Sequence, residues 1–153
     1  MTCVPTGFKD WRKKTLFMPN EEKIVCFFFK PNFADMVSPF DENHNIFRLS
    51  AQDEVIWQMR RDDSNHPPDW WDTLNRHAKE DGLDGARYPF TYMTLKYPDG
   101  STNISPQTGD PPDEAMWTPG CTIWLEGSAY QQYVLDPETG IAKNVTVGRP
   151  RPW

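Results

Sequence analysis

The sequence predicts a mainly β protein with a single domain, 1–153, and α+β is the alternative class. The chain carries 15 prolines and nine glycines, a density of turn residues that leaves little room for long helices. Its apolar segments are short and bounded by turn signals, as in strands. Because 14% of the residues are aromatic, the chain is not disordered. We expect about seven antiparallel strands in a sandwich or an open barrel, a loose N-terminal arm at 1–15 and an irregular tail at 148–153.

The first half of the chain contains a central strand and a hairpin. Residues 22–30 include an unbroken apolar run from Ile24 to Phe29, so both faces of this strand are apolar, as in a strand that is covered on both sides. Residues 45–50 and 54–60 are two further strand-like runs, separated by a short turn that would join them as a hairpin. The intervening segment, 31–45, is rich in Pro, Asp and Asn and indicates a loop.

The pattern predicts one helix, near 68–81. Pro68 suits the first helical turn, where a missing N–H group costs little, and Gly82 is a natural stop signal. Three residues recur at helical spacing and are expected to face the core: Trp70, Leu74 and Ala78. Trp71 then lies on the flank of the helix.

The second half of the chain indicates a hairpin followed by a meander. Residues 88–97 alternate in polarity, and Asp99-Gly100 is a strong hairpin signal that leads into a short strand at 101–104. A long loop, 105–120, follows, and loops of this length usually have a functional reason. The three strands of the meander are 121–126, 130–135 and 141–147.

Charge and composition narrow the classes of partner. The formal net charge is −6, and no Lys or Arg occurs from Tyr97 to Ala142. Nucleic-acid binding needs positive charge to displace counterions, so the sequence disfavours it and favours a basic protein partner. No segment approaches the roughly 20 apolar residues of a membrane span. Three widely spaced cysteines (Cys3, Cys26, Cys121) indicate a reducing compartment rather than a thiol zinc site, so we expect a cytoplasmic protein.

The favoured hypothesis is a non-enzymatic binding module that contacts another protein, with an immunity or antitoxin role as one version. Acidic residues lie close to tryptophans in the part of the chain that lacks Lys and Arg, and again beside the start of the helix. Such a surface suits a cationic ligand or a partner that presents Arg, although a solvated acidic face explains the same pattern. We define this acidic tryptophan surface as Trp71, Asp72, Asp113, Glu114, Trp117, Trp124 and Glu126.

Two alternatives involve other residues. The first is a small-molecule pocket in a curved β-sheet, lined by Trp57, Phe90, Tyr92 and Trp124. The second is a hydrolase that uses His66 with Asp62 or Asp63. The chain contains no helical His pair, phosphate loop, dinucleotide fingerprint or nucleophile elbow. The sequence therefore predicts no metal, no cofactor and no named catalytic residue, and it favours binding over enzymatic activity.

Two segments resemble the outer hairpin of a quinoprotein-type β-propeller blade. They are 45–57 and 133–141, and the second contains the strand–Asp-x-x-Thr-Gly–strand pattern at Asp136 to Gly140. The resemblance implies two antiparallel hairpins. It implies no quinone cofactor, because none of that family's catalytic residues can be placed in this chain. In general style the chain also resembles small β-rich proteins of mobile elements, including integron cassettes and toxin-immunity pairs.

Overall fold

The computed structural model of the protein describes residues 2–127 and 130–147, and the predicted tail at 148–153 lies outside them. Within the described residues, ten strands form two sheets of five strands each. The sheets pack face to face as a sandwich and are not closed into a barrel. The mainly β class is therefore confirmed. The expected seven antiparallel strands are wrong in number and in direction, because each sheet also contains a parallel pair.

Sheet A has the strand order β4-β3-β2-β1-β7. Its strands are β1 (Arg12–Phe17), β2 (Lys23–Phe29), β3 (Ile46–Leu49), β4 (Val55–Gln58) and β7 (Glu114–Met116). As predicted, β2 is central and β3 and β4 form a hairpin. The edge strand β7 comes from the predicted long loop and pairs parallel to β1.

Sheet B has the strand order β5-β10-β9-β8-β6. Its strands are β5 (Arg60–Asp62), β6 (Phe90–Lys96), β8 (Thr122–Gly127), β9 (Gln132–Leu135) and β10 (Ile141–Asn144). The meander β8-β9-β10 is confirmed, including its antiparallel pairing. The predicted strand at 54–60 is wrong in one respect. It divides at the buried Met59, so that β4 stays in sheet A and β5 crosses to sheet B, where it pairs parallel to β10.

The segment predicted as a loose arm is packed against the protein. Phe8 and Trp11 are buried against the outer face of sheet A, where the rings of Phe8 and Phe27 stack with centroids 4.7 Å apart. The apolar run of β2 thus has both faces covered, one by this N-terminal segment and the other by sheet B. The arm prediction failed because turn-like sequence around Phe8 shows no periodicity, although its aromatic residues have a large apolar area to bury.

Buried Asn45 ties the two sheets together. Its Nδ2 donates to the carbonyl oxygens of Phe27 in β2, at 2.9 Å, and Phe90 in β6, at 2.8 Å. Its Oδ1 accepts from the N–H of Phe90 at 3.2 Å. Beside it, burial raises the pKa of the Cys26 thiol to about 12, so this cysteine behaves as a small apolar residue. The amide of Asn45 therefore crosses the inter-sheet core with partners for its oxygen and its nitrogen.

Two α-helices flank the sandwich. The predicted helix is confirmed as α2, Trp70–Glu80. A shorter one, α1 (Pro39–Asn43), forms within the predicted loop, capped by the Ser38 hydroxyl. Residues Trp70, Leu74 and Ala78 do not enter the core as expected, because no residue of α2 is buried. Among the described residues, no helix has the length and apolar character needed to cross a membrane.

Candidate functional site

A cleft lies between α2 and one end of sheet B. At this end β5, β8 and β10 finish and β6 and β9 begin. The cleft consists of an outer cavity of about 560 Å³ and an inner cavity of about 190 Å³. Arg61, Trp70 and Trp71 border both cavities. The outer cavity also has His44, Asp63 and His66 in its wall, and the inner cavity has Leu74, Tyr88, Phe90 and Gln131.

The guanidinium of Arg61 is held in place by three acceptors. Its Nε donates to the carbonyl oxygen of Asn43 at 2.7 Å, and Nη2 donates to that of Tyr88 at 2.5 Å. Its Nη1 donates to the hydroxyl of Tyr133 at 3.2 Å. These bonds link β5, β9, the last residue of α1 and the segment before β6 to one side chain. Three bonds to separate parts of the chain restrict the position of this cation in the cleft.

Aromatic rings surround this guanidinium. Its Cζ lies 4.2 Å from the ring centroid of Phe90, 5.1 Å from that of Trp71 and 5.2 Å from that of Tyr133. Cation–π contacts of this kind stabilise a charge that has lost its water. Among the described residues, no carboxylate oxygen lies within 4.0 Å of Arg61. Burial lowers the pKa of Arg61, although Tyr133 and Asp63 partly oppose the shift.

Asp63 connects α2 to the end of the sheet. Its Oδ2 accepts from the indole N–H of Trp71 at 2.6 Å. Its Oδ1 accepts from Asn144 Nδ2 at 3.0 Å and from the hydroxyl of Tyr133. Burial, followed by the hydrogen bond to Asp63, raises the pKa of Tyr133 well above its ordinary value. The hydroxyl of Tyr133 therefore stays protonated and relays between the carboxylate and Arg61.

Gln131 supports the opposite wall. Its Oε1 accepts from Asn144 Nδ2 at 2.9 Å and from Thr146 Oγ1 at 3.2 Å, and it lies 3.2 Å from His66 Nε2. The imidazole of His66 stacks on the indole of Trp70, with centroids 3.9 Å apart and 5° between the planes. Polar contacts thus orient the flat surface that His66 and Trp70 present together.

His44 forms the rim next to α1. Its Nδ1 lies 2.7 Å from the carbonyl oxygen of Phe40, and the two rings stack with centroids 4.1 Å apart. Burial lowers the pKa of His44, which favours the neutral imidazole at pH 7. The fixed positive charge of the cleft is therefore that of Arg61.

The hydrolase pairing is not assembled in the structure. The imidazole of His66 lies beside Gln131, and the described residues include no side-chain hydrogen bond between it and either Asp62 or Asp63. The two segments are linked only through the backbone, where the N–H of His66 donates to the carbonyl oxygen of Asp63 at 2.9 Å. Asp62 instead accepts from the N–H of Ser64 at 3.1 Å. Both oxygens of Asp63 accept from other donors, namely Trp71, Tyr133 and Asn144, and the side chain of His66 is not among them.

The acidic tryptophan surface is divided among separate elements. Trp71 belongs to the cleft, and Asp72 is exposed on α2. Trp117 packs against the inter-sheet core, where its indole N–H is buried without a partner in the described part of the chain. Trp124 lies on β8 and is half-buried, and Glu126 follows on the same strand. The contacts of the described residues do not join these side chains into one patch.

Lysines on other strands contact residues of the sequence stretch that has no Lys or Arg of its own. Asp113, next to the exposed Glu114, is bonded to Lys14 Nζ at 2.9 Å. The hydrogen bond from Lys14, followed by the positive charge of Lys14, lowers the pKa of the Asp113 carboxyl group. The Nζ of Lys96 lies 4.1 Å from the ring centroid of Trp124. A sequence window that lacks Lys and Arg therefore does not form a surface that lacks them.

The predicted aromatic pocket is also divided, and only Phe90 lines the cleft. Trp57 lies at the edge of sheet A, where its N–H donates to the carbonyl oxygen of Pro137 at 3.0 Å. Tyr92 is exposed, and a hydrogen bond to Asp110 raises its pKa. Period-two alternation placed Phe90 and Tyr92 on one face, but the register of β6 shifts between them, so Phe90 turns into the core and Tyr92 stays outside.

Sequence reasoning missed Arg61, Gln131 and Asn144 as site residues. Arg61 stands among adjacent charged residues, a pattern that usually indicates solvent exposure. One signal was present for Asn144, since alternation along β10 places it on the same face as Ala142, and both are buried. A polar residue in the inward phase of a strand indicates a buried hydrogen-bond network.

Neither a metal-ligand cluster in the described residues nor a match to a known protein is found for this chain. Within the residues that the structure describes, no three His, Cys, Asp or Glu side chains are grouped so as to hold a metal ion. No protein-family model, no curated protein and no solved structure matches this chain.

Proposed function

We propose that this protein is a binding module for a small, flat organic molecule, held in the cleft between α2 and the end of sheet B. The observation that carries the proposal is the incomplete burial of α2. The helix turns Trp70, Trp71 and Leu74 towards the sandwich, yet none of them is buried. An apolar face that borders a cavity gains free energy when a ligand covers it.

The shape and size of the cleft support a small ligand. An outer cavity of about 560 Å³ falls within the ~300–1,000 Å³ range of small-molecule sites. The walls of the cleft include the His66–Trp70 stack in the outer cavity and, in the inner cavity, the edge-to-face pair of Trp71 and Tyr88, whose centroids are 6.2 Å apart. Flat molecules pack well against such surfaces, and a few polar groups at the base fix their orientation.

The cleft is also pre-organised. Trp71 is anchored through Asp63, and the segment after α2 is anchored at Ala86, whose N–H donates to Asn75 Oδ1 at 2.9 Å. These bonds fix the position of α2 relative to its neighbours while the cavity is open. A site that is already formed spends less binding free energy on ordering.

Binding is supported more directly than catalysis or protein contact. The side-chain partners of Asp63 are Trp71, Tyr133 and Asn144 rather than His66. The imidazole of His66 lies beside Gln131 rather than beside an acid. The acidic tryptophan surface lacks a single location in the described residues, so a basic protein partner and an immunity-type role stay predictions.

The proposal is tested with indole as a neutral, flat probe. Uniformly ¹⁵N-labelled protein is titrated with unlabelled indole at low millimolar concentration. The side-chain N–H signals of the tryptophans are observed, and those of Trp70 and Trp71 are assigned with the variants Trp70→Phe and Trp71→Phe. We expect concentration-dependent shifts for Trp70 and Trp71, with weak affinity because the probe is small. Trp70→Ala should abolish the saturable shift of Trp71, and the control Trp124→Ala, on β8 and outside the cleft, should not. Saturable shifts confined to other tryptophans, or none at all, would contradict the proposal.

A further inference from the structure

We propose that the natural ligand of the cleft carries a carboxylate on its flat ring and that this carboxylate binds Arg61. The inference rests on the function proposed above and names the chemical class of its ligand. It depends on the donors of Arg61, on the charges around it and on its place in the cavity wall.

Arg61 retains donors that the protein does not use. A guanidinium has five N–H groups, and three of them are directed at Asn43, Tyr88 and Tyr133. One N–H on Nη1 and one on Nη2 therefore have no acceptor among the described residues. Arg61 borders both the outer and the inner cavity, so an oxyanion within the cleft can reach these groups. Two N–H groups suit the two oxygens of a carboxylate.

The surroundings of Arg61 leave its charge without a direct counter-ion. The nearest anionic group in its network, Asp63, reaches it through the hydroxyl of Tyr133 rather than by an ion pair. His44 is pushed towards its neutral form by burial, and an imidazole carries no negative charge in either form, so it cannot serve as the counter-ion. The lowered pKa of Arg61 agrees with this deficit. A partly buried charge without an ionic partner is unfavourable, and a ligand carboxylate supplies that partner.

The inner cavity explains why the anion belongs to a flat molecule. Phe90, Trp71 and Tyr133 surround the guanidinium, and Trp70 and Leu74 line the same space. A small, strongly hydrated inorganic anion gains nothing from these apolar walls and loses its water there. A ring that bears a carboxylate places its apolar part against the indoles and its charge against Arg61.

The test compares two ligands that differ only in charge. Indole-3-carboxylate and indole-3-carboxamide are titrated separately into the wild-type protein at pH 7 and low salt. We expect the carboxylate to bind at least tenfold more tightly, which corresponds to about 1.4 kcal/mol. We also expect it alone to shift the Arg61 Nε–Hε signal. Equal affinities at Trp70 and Trp71 would overturn this inference and leave the proposed function intact. Failure of both compounds to bind would remove both proposals.

A variant tests whether the guanidinium is responsible. Arg61→Lys keeps the charge and loses the paired donors, so we expect the preference for the carboxylate to fall to threefold or less. The matched control, Arg76→Lys on the exposed side of α2, should keep the full preference. An unchanged preference in Arg61→Lys would overturn the role of the paired donors. Should Arg61→Lys fail to fold, the ligand pair on the wild-type protein still decides the question.

Discussion

Removing one hydroxyl, with Tyr133→Phe, tests the network that holds the cleft open. This oxygen donates to Asp63 and accepts from Arg61, so the variant takes a partner from each of two charged groups and leaves the ring packing in place. Asp63 keeps its bonds to Trp71 and Asn144, and Arg61 keeps its two carbonyl acceptors. We expect the fold to survive.

The size of the effect follows from the bonds that are lost. A hydrogen bond to a charged group contributes about 1.5–3 kcal/mol, and the remaining partners of Asp63 and Arg61 reduce the sum. We expect the free energy of unfolding to fall by about 3 kcal/mol, which lowers the melting temperature by roughly 6–12 °C for a chain of this length.

The effect also depends on pH, with a definite sign. An unfolded tyrosine loses its proton near pH 10, whereas the raised pKa of Tyr133 keeps the native hydroxyl protonated. Its stabilisation is therefore complete below about pH 10 and is lost as the pH rises further, by about 1.4 kcal/mol per unit. Tyr133→Phe lacks this loss. The stability difference between wild type and variant should shrink from about 3 kcal/mol at pH 8 to roughly half that at pH 11.

Urea unfolding at both pH values, followed by circular dichroism, measures this difference. The control Tyr97→Phe removes a hydroxyl from the segment after the far end of β6 and should show no comparable change with pH. A difference between wild type and Tyr133→Phe that stays constant, or grows, between pH 8 and pH 11 would refute the buried, protonated hydroxyl.

Three further variants test the frame, each by urea unfolding. Gly140→Ala should destabilise by about 3 kcal/mol, because φ is +77° and the new Cβ would lie 2.6 Å from Trp57 Cδ2. Gly100→Ala, at a positive φ in open space, should lose only about 1 kcal/mol, and equal losses would disprove the clash. Asn45→Ala removes a hydrogen-bond partner from three buried backbone groups. At about 1–3 kcal/mol for each group, the free energy of unfolding should fall by about 3 kcal/mol or more. A near-neutral result would mean that the amide does not bridge the sheets. Phe8→Ala should lower the free energy of unfolding by about 3–5 kcal/mol. A much smaller loss would show that the N-terminal segment is loose.

Elements with local signals were predictable from the sequence. The helix 70–80 begins after Pro68 and ends before Gly82, and the turn 136–140 closes on a glycine with positive φ. In each case the deciding residues are neighbours along the chain. The same holds for the central strand, whose apolar run needs cover on both faces wherever it is placed.

Elements defined by distant partners were not predictable. The strands β5 and β7 have only three residues each and pair in parallel with strands far along the chain, so their own residues show no periodicity. The site likewise depends on residues that are far apart in the sequence, because Asp63 is bonded to Tyr133 across 70 positions and to Asn144 across 81. Charge windows fail for the same reason, as Lys14 shows by pairing with Asp113. Single-chain patterns identify which residues are polar but not which of them meet.

A crystal of the protein soaked with indole-3-carboxylate would reveal whether the open, aromatic cleft with Arg61 at its base holds a flat ligand. We expect electron density for the ring against Trp70 and Trp71, with the carboxylate within hydrogen-bond distance of Arg61 Nη1 and Nη2. A cleft closed by the two indoles, or the compound bound only elsewhere on the protein, would contradict it.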